Sequence, residues 1–327
     1  MKNLLLALAC CFALIGCSNE SETTNTQESA GLSGKVRLDG SSTVFPISEA
    51  VAEEFRAAEP RVRVTVGVSG TGGGFKKFLA GETDINDASR TIKSSEQEKA
   101  EAAGIGYIEI PVAFDGLSVM VNLENDWVDH LTVAELNAIW KTESEVKTWA
   151  DVREGWPAEE IRLYGPGTDS GTFDYFTKAI NGEEQASRAD FTASEDDNVL
   201  VQGISGDRYS LGYFGFAYYI ENKDKLKIVP IEGGNGPVAP SMQTINDGTY
   251  APLSRPIFIY IRPDSLDDPA VARFVDFYME HAGTLSEEVG YVSLPDSVYA
   301  AARQRIANRV TGTGYGDNAT LETLTGS

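Results

Sequence analysis

Histidine and cysteine are nearly absent from this sequence of 327 residues. It holds two histidines, His130 and His281, and three cysteines, Cys10, Cys11 and Cys17, all within the first seventeen positions. Beyond Cys17 no disulfide can form and no cysteine-based metal site can be built. Neither histidine stands in a recognisable base motif, so a serine nucleophile lacks a partner, although Thr168-Asp169-Ser170-Gly171 echoes the surroundings of some protease serines. No two-histidine or dense carboxylate set offers a phosphatase its metals. The expectation is a protein that is not an enzyme, with no metal and no cofactor.

Basic residues are scarce too: 27 Lys and Arg stand against 49 Asp and Glu, a formal net charge of −22. A field of that sign disfavours nucleic acid and anionic membrane surfaces as partners. Any bound anion must then be held by local, directed hydrogen bonds. Long apolar runs are missing after Leu4 to Ile15, which follows the positive start Met1-Lys2-Asn3 and is too short to span a bilayer. It closes with Leu14-Ile15-Gly16-Cys17, which resembles the lipobox of bacterial lipoproteins. That resemblance implies a signal peptide over residues 1–16, cut before Cys17, and acyl chains (palmitate) on Cys17. The polar stretch 17–33 reads as a flexible tether, and 311–327 as a loosely ordered polar tail. The expected place is exported and lipid-anchored, on the periplasmic face of a bacterial membrane or at the cell surface.

What the chain has in quantity is glycine beside small hydroxyls. Short strands alternate with amphipathic helices: strands at Lys35–Asp39, Val62–Val68, Ile161–Tyr164 and Leu211–Phe216, helices carrying Ile47, Val51 and Phe55, then Phe75–Ala80, Val133–Trp140 and Thr172–Ile180. Strand-like segments Ile105–Val112 and Leu117–Asn122 flank Ala113-Phe114-Asp115-Gly116. This alternation predicts an α/β fold with mainly parallel sheets, where ligands sit at strand ends and helix N-termini converge. Three junctions have that form: GSSTVFP, SGTGGGF and YGPGTDSGTF. A glycine run before a helix offers bare N–H groups to an anion. The run fails the P-loop spacing, because Lys76-Lys77 precedes Phe78 instead of Ser or Thr.

GSSTVFPISEAVAEEF, SGTGGGFKKFLAGETDINDASR, AFDGLSVMVN, YGPGTDSGTFDYFTKAI, SEDDNVLVQGI and LGYFGFAYY follow one another along the chain. In this order they resemble the substrate-binding protein of the bacterial Pst phosphate ABC transporter, from about residue 34 to about 307. The resemblance implies a two-domain periplasmic-binding-protein fold of type II, each domain a mainly parallel sheet flanked by helices, joined by two crossing strands. It implies domain I over 34–112 plus 253–310 and domain II over 113–252. It also implies inorganic phosphate clamped in the cleft, membrane permease subunits as partners, and a monomer without catalysis. A surface lipoprotein using the same scaffold for adhesion or phosphate sensing is the alternative.

Position by position, the resemblance implies phosphate contacts from Ser41, Ser42, Thr43 and Val44, from Gly70 and Thr71, and from Ser170, Gly171 and Thr172. The sequence departs from the enteric pattern: Arg90 follows Ala88-Ser89 where that branch has aspartate, and Pro166 stands where it has arginine. The cation is therefore expected at Arg90, whose planar fork suits two oxygens. A carboxylate that accepts the phosphate proton would discriminate against sulfate. Asp115 is the first choice for it and Asp169 the second, with Asp87 expected to pair with a nearby cation and Asp196-Asp197 to begin a helix.

Overall fold

The computed structural model describes residues 31–234, 236–315 and 324. The signal segment, the proposed lipidation site at Cys17, the tether up to residue 30 and most of the tail lie outside the described residues. Strands are β1 (Gly34–Gly40), β2 (Val62–Val68), β3 (Ile85–Ala88), β4 (Ile108–Asn122), β5 (Leu131–Thr132), β6 (Arg162–Pro166), β7 (Thr192–Ser194), β8 (Ser210–Gly215), β9 (Leu226–Ile228), β10 (Ile231–Glu232), β11 (Pro237–Val238) and β12 (Ser254–Ile261). Helices are α1 (Phe45–Ala58), α2 (Gly70–Leu79), α3 (Ser94–Ala103), α4 (Val133–Trp140), α5 (Trp149–Val152), α6 (Gly171–Phe176), α7 (Asp197–Gly206), α8 (Phe216–Glu221), α9 (Met242–Asn246), α10 (Pro269–Glu288) and α11 (Asp296–Ala307).

The large sheet runs β2-β1-β3-β12-β4-β8-β6-β7, with β9 also on β4. The pairs β1–β2 and β1–β3 on one flank, and β6–β7 and β6–β8 on the other, are parallel; the pairs made by β12 and β4 are antiparallel. All fifteen residues of β4 are buried. That explains its near-continuous apolar run, since a strand covered on both faces has no solvent side to alternate with. Its residues up to Gly116 pair with β12, and those from Leu117 pair with β8. The two strand-like segments expected around Ala113–Gly116 are thus one strand shared by both flanks. On the first flank α1 buries Ile47, Val51 and Phe55, and the Phe55 ring meets those of Phe274 and Phe277 from α10 edge-on at 5.2 and 5.3 Å.

Two expectations change. The glycine run does not precede a helix; it forms the first turns of α2, capped at Ser69. The reason is close packing: a Cβ on Gly74 would lie 2.0 Å from Asn86 Oδ1 and 2.6 Å from the Gly40 Cα. Glycine costs about 1 kcal/mol in a helix, and here it lets α2 press against the end of β1. The start of the tail is also tied down. Buried Glu109 on β4 accepts from the Tyr260 hydroxyl at 2.7 Å and from the N–H groups of Gly314 and Tyr315 at 2.7 and 2.9 Å. A buried carboxylate needs such donors, so residues up to 315 are anchored and not loose.

Candidate anion-binding site

The three junctions meet. After β1, the Ser41 N–H donates to the Asp87 carbonyl at 3.0 Å, and the Val44 and Phe45 N–H groups return to the Ser41 carbonyl. Tyr218 and Tyr291 donate their hydroxyls to the Ser42 and Thr43 carbonyls at 2.9 and 2.5 Å. Those contacts fix a tight turn at the start of α1. At the second junction, Gly70 adopts φ 74° and Thr71 Oγ1 accepts from the Ser89 N–H at 3.1 Å. At the third, Ser170 caps α6 by accepting from the Thr172 N–H at 3.1 Å. The hydroxyls then touch one another: Ser41 with Ser89 at 2.9 Å, Thr71 with Ser89 at 3.2 Å, and Thr43 with Thr172 at 2.9 Å. The last contact joins the two flanks of the sheet. Every one of these hydroxyl residues is buried.

Gly171 sits at the closest approach. A Cβ there would lie 2.6 Å from Ser89 Oγ and 2.7 Å from Thr71 Oγ1, so only glycine fits against both.

The cation among these hydroxyls is not the expected one. Arg255, on β12 and 1% exposed, donates to Thr172 Oγ1 at 2.7 Å, to the Gly171 carbonyl at 2.9 Å and to Asp115 Oδ2 at 3.1 Å. Its guanidinium lies 5.3 Å from the centre of the Tyr175 ring. Arg255 and Asp115 face each other in the β12–β4 register, so the pair is built into the shared strands. Arg90 is engaged elsewhere: Nε donates to Asp174 at 2.7 Å, Nη1 and Nη2 to Glu96 at 2.8 Å, and Nη1 also to the Thr91 carbonyl at 3.0 Å. Only its stem reaches the cradle, with Cγ 3.0 Å from a Cβ on Gly171. Arg90, the cation expected from the sequence, thus has its fork on two carboxylates in this structure.

The acidic candidates separate as well. Asp115 is buried; its Oδ2 takes Arg255 while Oδ1 has no partner. Burial pushes its carboxyl up to about 6, opposed by Arg255. Asp169 instead pairs with Lys76 at 2.9 Å and is half exposed, well suited to the surface and not to a cradle. Asp87 has no cation among the described residues; it accepts from Ser48 at 3.0 Å, and burial raises it to about 8. Asp197 does begin α7, but it is also fully buried with both oxygens unpartnered, beside the Ser42 hydroxyl. Burial raises it to about 7, and the nearby Asp115 adds to the rise.

Sequence reasoning did not single out Arg255, Asp197 or Ser89, which the structure brings beside the three junctions. A signal existed for the first: one arginine inside the apolar strand SRPIFIYI, matched by one aspartate at the middle of β4.

The arrangement offers a buried cluster of hydroxyls, α-helix N-termini and a guanidinium, drawn from two flanks of a shared sheet. That defines a substrate-binding protein, and the PBP superfamily domain matches residues 25–281. Protein SphX of Synechococcus elongatus is 53% identical over 290 residues, covering 88% of this chain and 86% of that protein. The phosphate-binding protein PstS of Staphylococcus saprophyticus is 42% identical over 277 residues, covering 84% of each. A solved structure of a possible phosphate binding protein from Planctomyces limnophilus matches at 51% identity with a TM-score of 0.62, covering 86% of this chain and 100% of that one. The chain belongs to the PBP superfamily and, within it, to the family of the PstS phosphate-binding proteins.

Proposed function

We propose that the protein binds inorganic phosphate in this cradle and delivers it to the permease of a phosphate ABC transporter. The observation that carries the reading is the meeting of hydroxyls from the three junctions: Ser41 and Thr71 on Ser89, and Thr43 on Thr172, which Arg255 also holds. Donors of this kind suit a tetrahedral oxyanion, since hydroxyls and N–H groups adapt to each oxygen while the fork of Arg255 takes two. Asp115 Oδ1, buried and unpartnered, accepts the proton of monohydrogen phosphate; sulfate has none to give and meets a bare carboxylate instead. Ser89 joins the contacts, and Arg90 supports the wall through its stem.

The division is taken as domain I (34–112 plus 253–310) and domain II (113–252); the switch of β4 from β12 to β8 between Gly116 and Leu117 supports a crossing close to that boundary. Closure by hinge motion then brings the third loop onto the first two. The protein works as an exported monomer held through acyl chains on Cys17, and no step of catalysis is assigned to it. Among the described residues no helix is long and apolar enough to cross a membrane. Calorimetric titration of the phosphate-stripped protein tests the reading: stoichiometric heat with phosphate and little with sulfate is expected. Absence of heat from micromolar phosphate would end it.

A further inference from the structure

Outside the cradle, three cations of one flank meet three acids of the other. Lys76, Arg90 and Lys93 lie on the flank of β1 to β3, and their partners Asp169, Asp174 and Glu184 on the flank of β6 to β8. Lys93 Nζ stands 2.7 Å from Asp174 and 3.3 Å from Glu184. Arg90 Nε reaches the same Asp174 oxygen at 2.7 Å, and Lys76 meets Asp169 at 2.9 Å. Gln185 donates to the other oxygen of Asp174 at 3.1 Å. Asp174 is 2% exposed and Lys93 23%, so the pairs made by Asp174 are less screened than surface ones such as Lys76–Asp169. Arg90, Lys93 and Glu184 line two cavities at once, of about 730 and 550 Å³. The bridge therefore stands across the cleft between two openings.

We infer that Lys93, Asp174 and Glu184 form a latch that is made when the flanks close on the bound anion and broken when they part. The inference rests on the phosphate reading of the cradle. None of the three is placed among the cradle hydroxyls; they are positioning residues that set how long the anion stays. Each cation also keeps a second acid when Asp174 is neutralised: Arg90 retains Glu96 and Lys93 retains Glu184. The variant should fold for that reason.

The test is release of radiolabelled inorganic phosphate, measured on the parent and on Lys93→Gln, Lys93→Arg and Asp174→Asn. Asp174→Asn should speed release roughly 30-fold, as truncation of a buried charge pair acts through dissociation. Lys93→Gln should speed it about fivefold, since its side chain is partly exposed. Association should stay within about twofold of the parent, and Lys93→Arg should release like the parent. The stripped variants should unfold at the parent's midpoint, because the latch is open in them. Unchanged release in a parent that binds phosphate would overturn the latch and leave the phosphate reading standing. Equal destabilisation of stripped and saturated variants would make the bridge a permanent structural contact and overturn it too. A parent that binds no phosphate would remove the reading, and the latch with it.

Discussion

Arg90 and Arg255 are both almost wholly buried, and both stand within reach of the same glycine, Gly171. They differ in how many charges surround them. Arg90 meets two carboxylates, Glu96 and Asp174, from opposite flanks of the sheet. Arg255 meets one, Asp115, and gives its remaining donors to a hydroxyl and a carbonyl. A hydroxyl is an exchangeable partner, because it can turn and donate when a better acceptor arrives; a pair of carboxylates is not. Burial alone therefore does not mark a ligand-binding arginine. On the proposed function, the count of fixed counter-charges separates the cation that would hold the anion from the one that holds the walls together.

The largest effect should come from Arg255. Arg255→Ala should cost roughly 2–5 kcal/mol of phosphate binding, the range for truncating a buried charge partner, and Arg255→Lys should restore only part because the planar fork is lost. Calorimetry on both variants beside Arg90→Ala reads the comparison directly, and Arg90→Ala should lose clearly less. Next comes Gly171→Ala, whose methyl would collide with Ser89 and Thr71; overpacking of that kind should cost about 1–3 kcal/mol of binding. A variant that binds like the parent would mean the loops stand further apart when occupied.

Asp115→Asn should reduce the preference for phosphate over sulfate by roughly tenfold, the scale of one hydrogen bond to a charged group; competition titrations with sulfate measure it. A separate check concerns stability, not binding. Asp87, Asp197 and Asp115 are raised from an ordinary 3.8 to about 8, 7 and 6. The folded protein thus keeps protons that the unfolded chain has released. Stability should fall as pH rises from about 4 towards 8, by up to about 1.4 kcal/mol per pH unit for each titrating group. Asp87→Asn should flatten the upper part of that slope in urea unfolding. A slope of the opposite sign would show that these carboxyls are ionised and paired.

Much of the scaffold was legible because it is local. Val62–Val68 and Val133–Trp140 form as their alternation and periodicity predict, and the strand-loop-helix junctions lie together. What was not legible was decided at a distance. The place of the glycines inside α2 depends on Asn86 and Gly40 pressing from β3 and β1. The pairing of Arg255 with Asp115 depends on register between strands 140 residues apart, which no local pattern carries. Arg90 looked free in sequence because Asp174 lies 84 residues away. Asp87 looked like half of an ion pair because its true partner, Ser48, comes from the buried face of α1.

A crystal structure of the phosphate-saturated protein tests the central claim most directly. The account predicts one phosphate enclosed between the flanks, its oxygens within hydrogen-bond distance of the Arg255 guanidinium and the hydroxyls of Thr43, Thr71 and Thr172. Arg90 should remain on Glu96 and Asp174. A phosphate held by Arg90, with Arg255 still closed on Asp115 and Thr172, would contradict it.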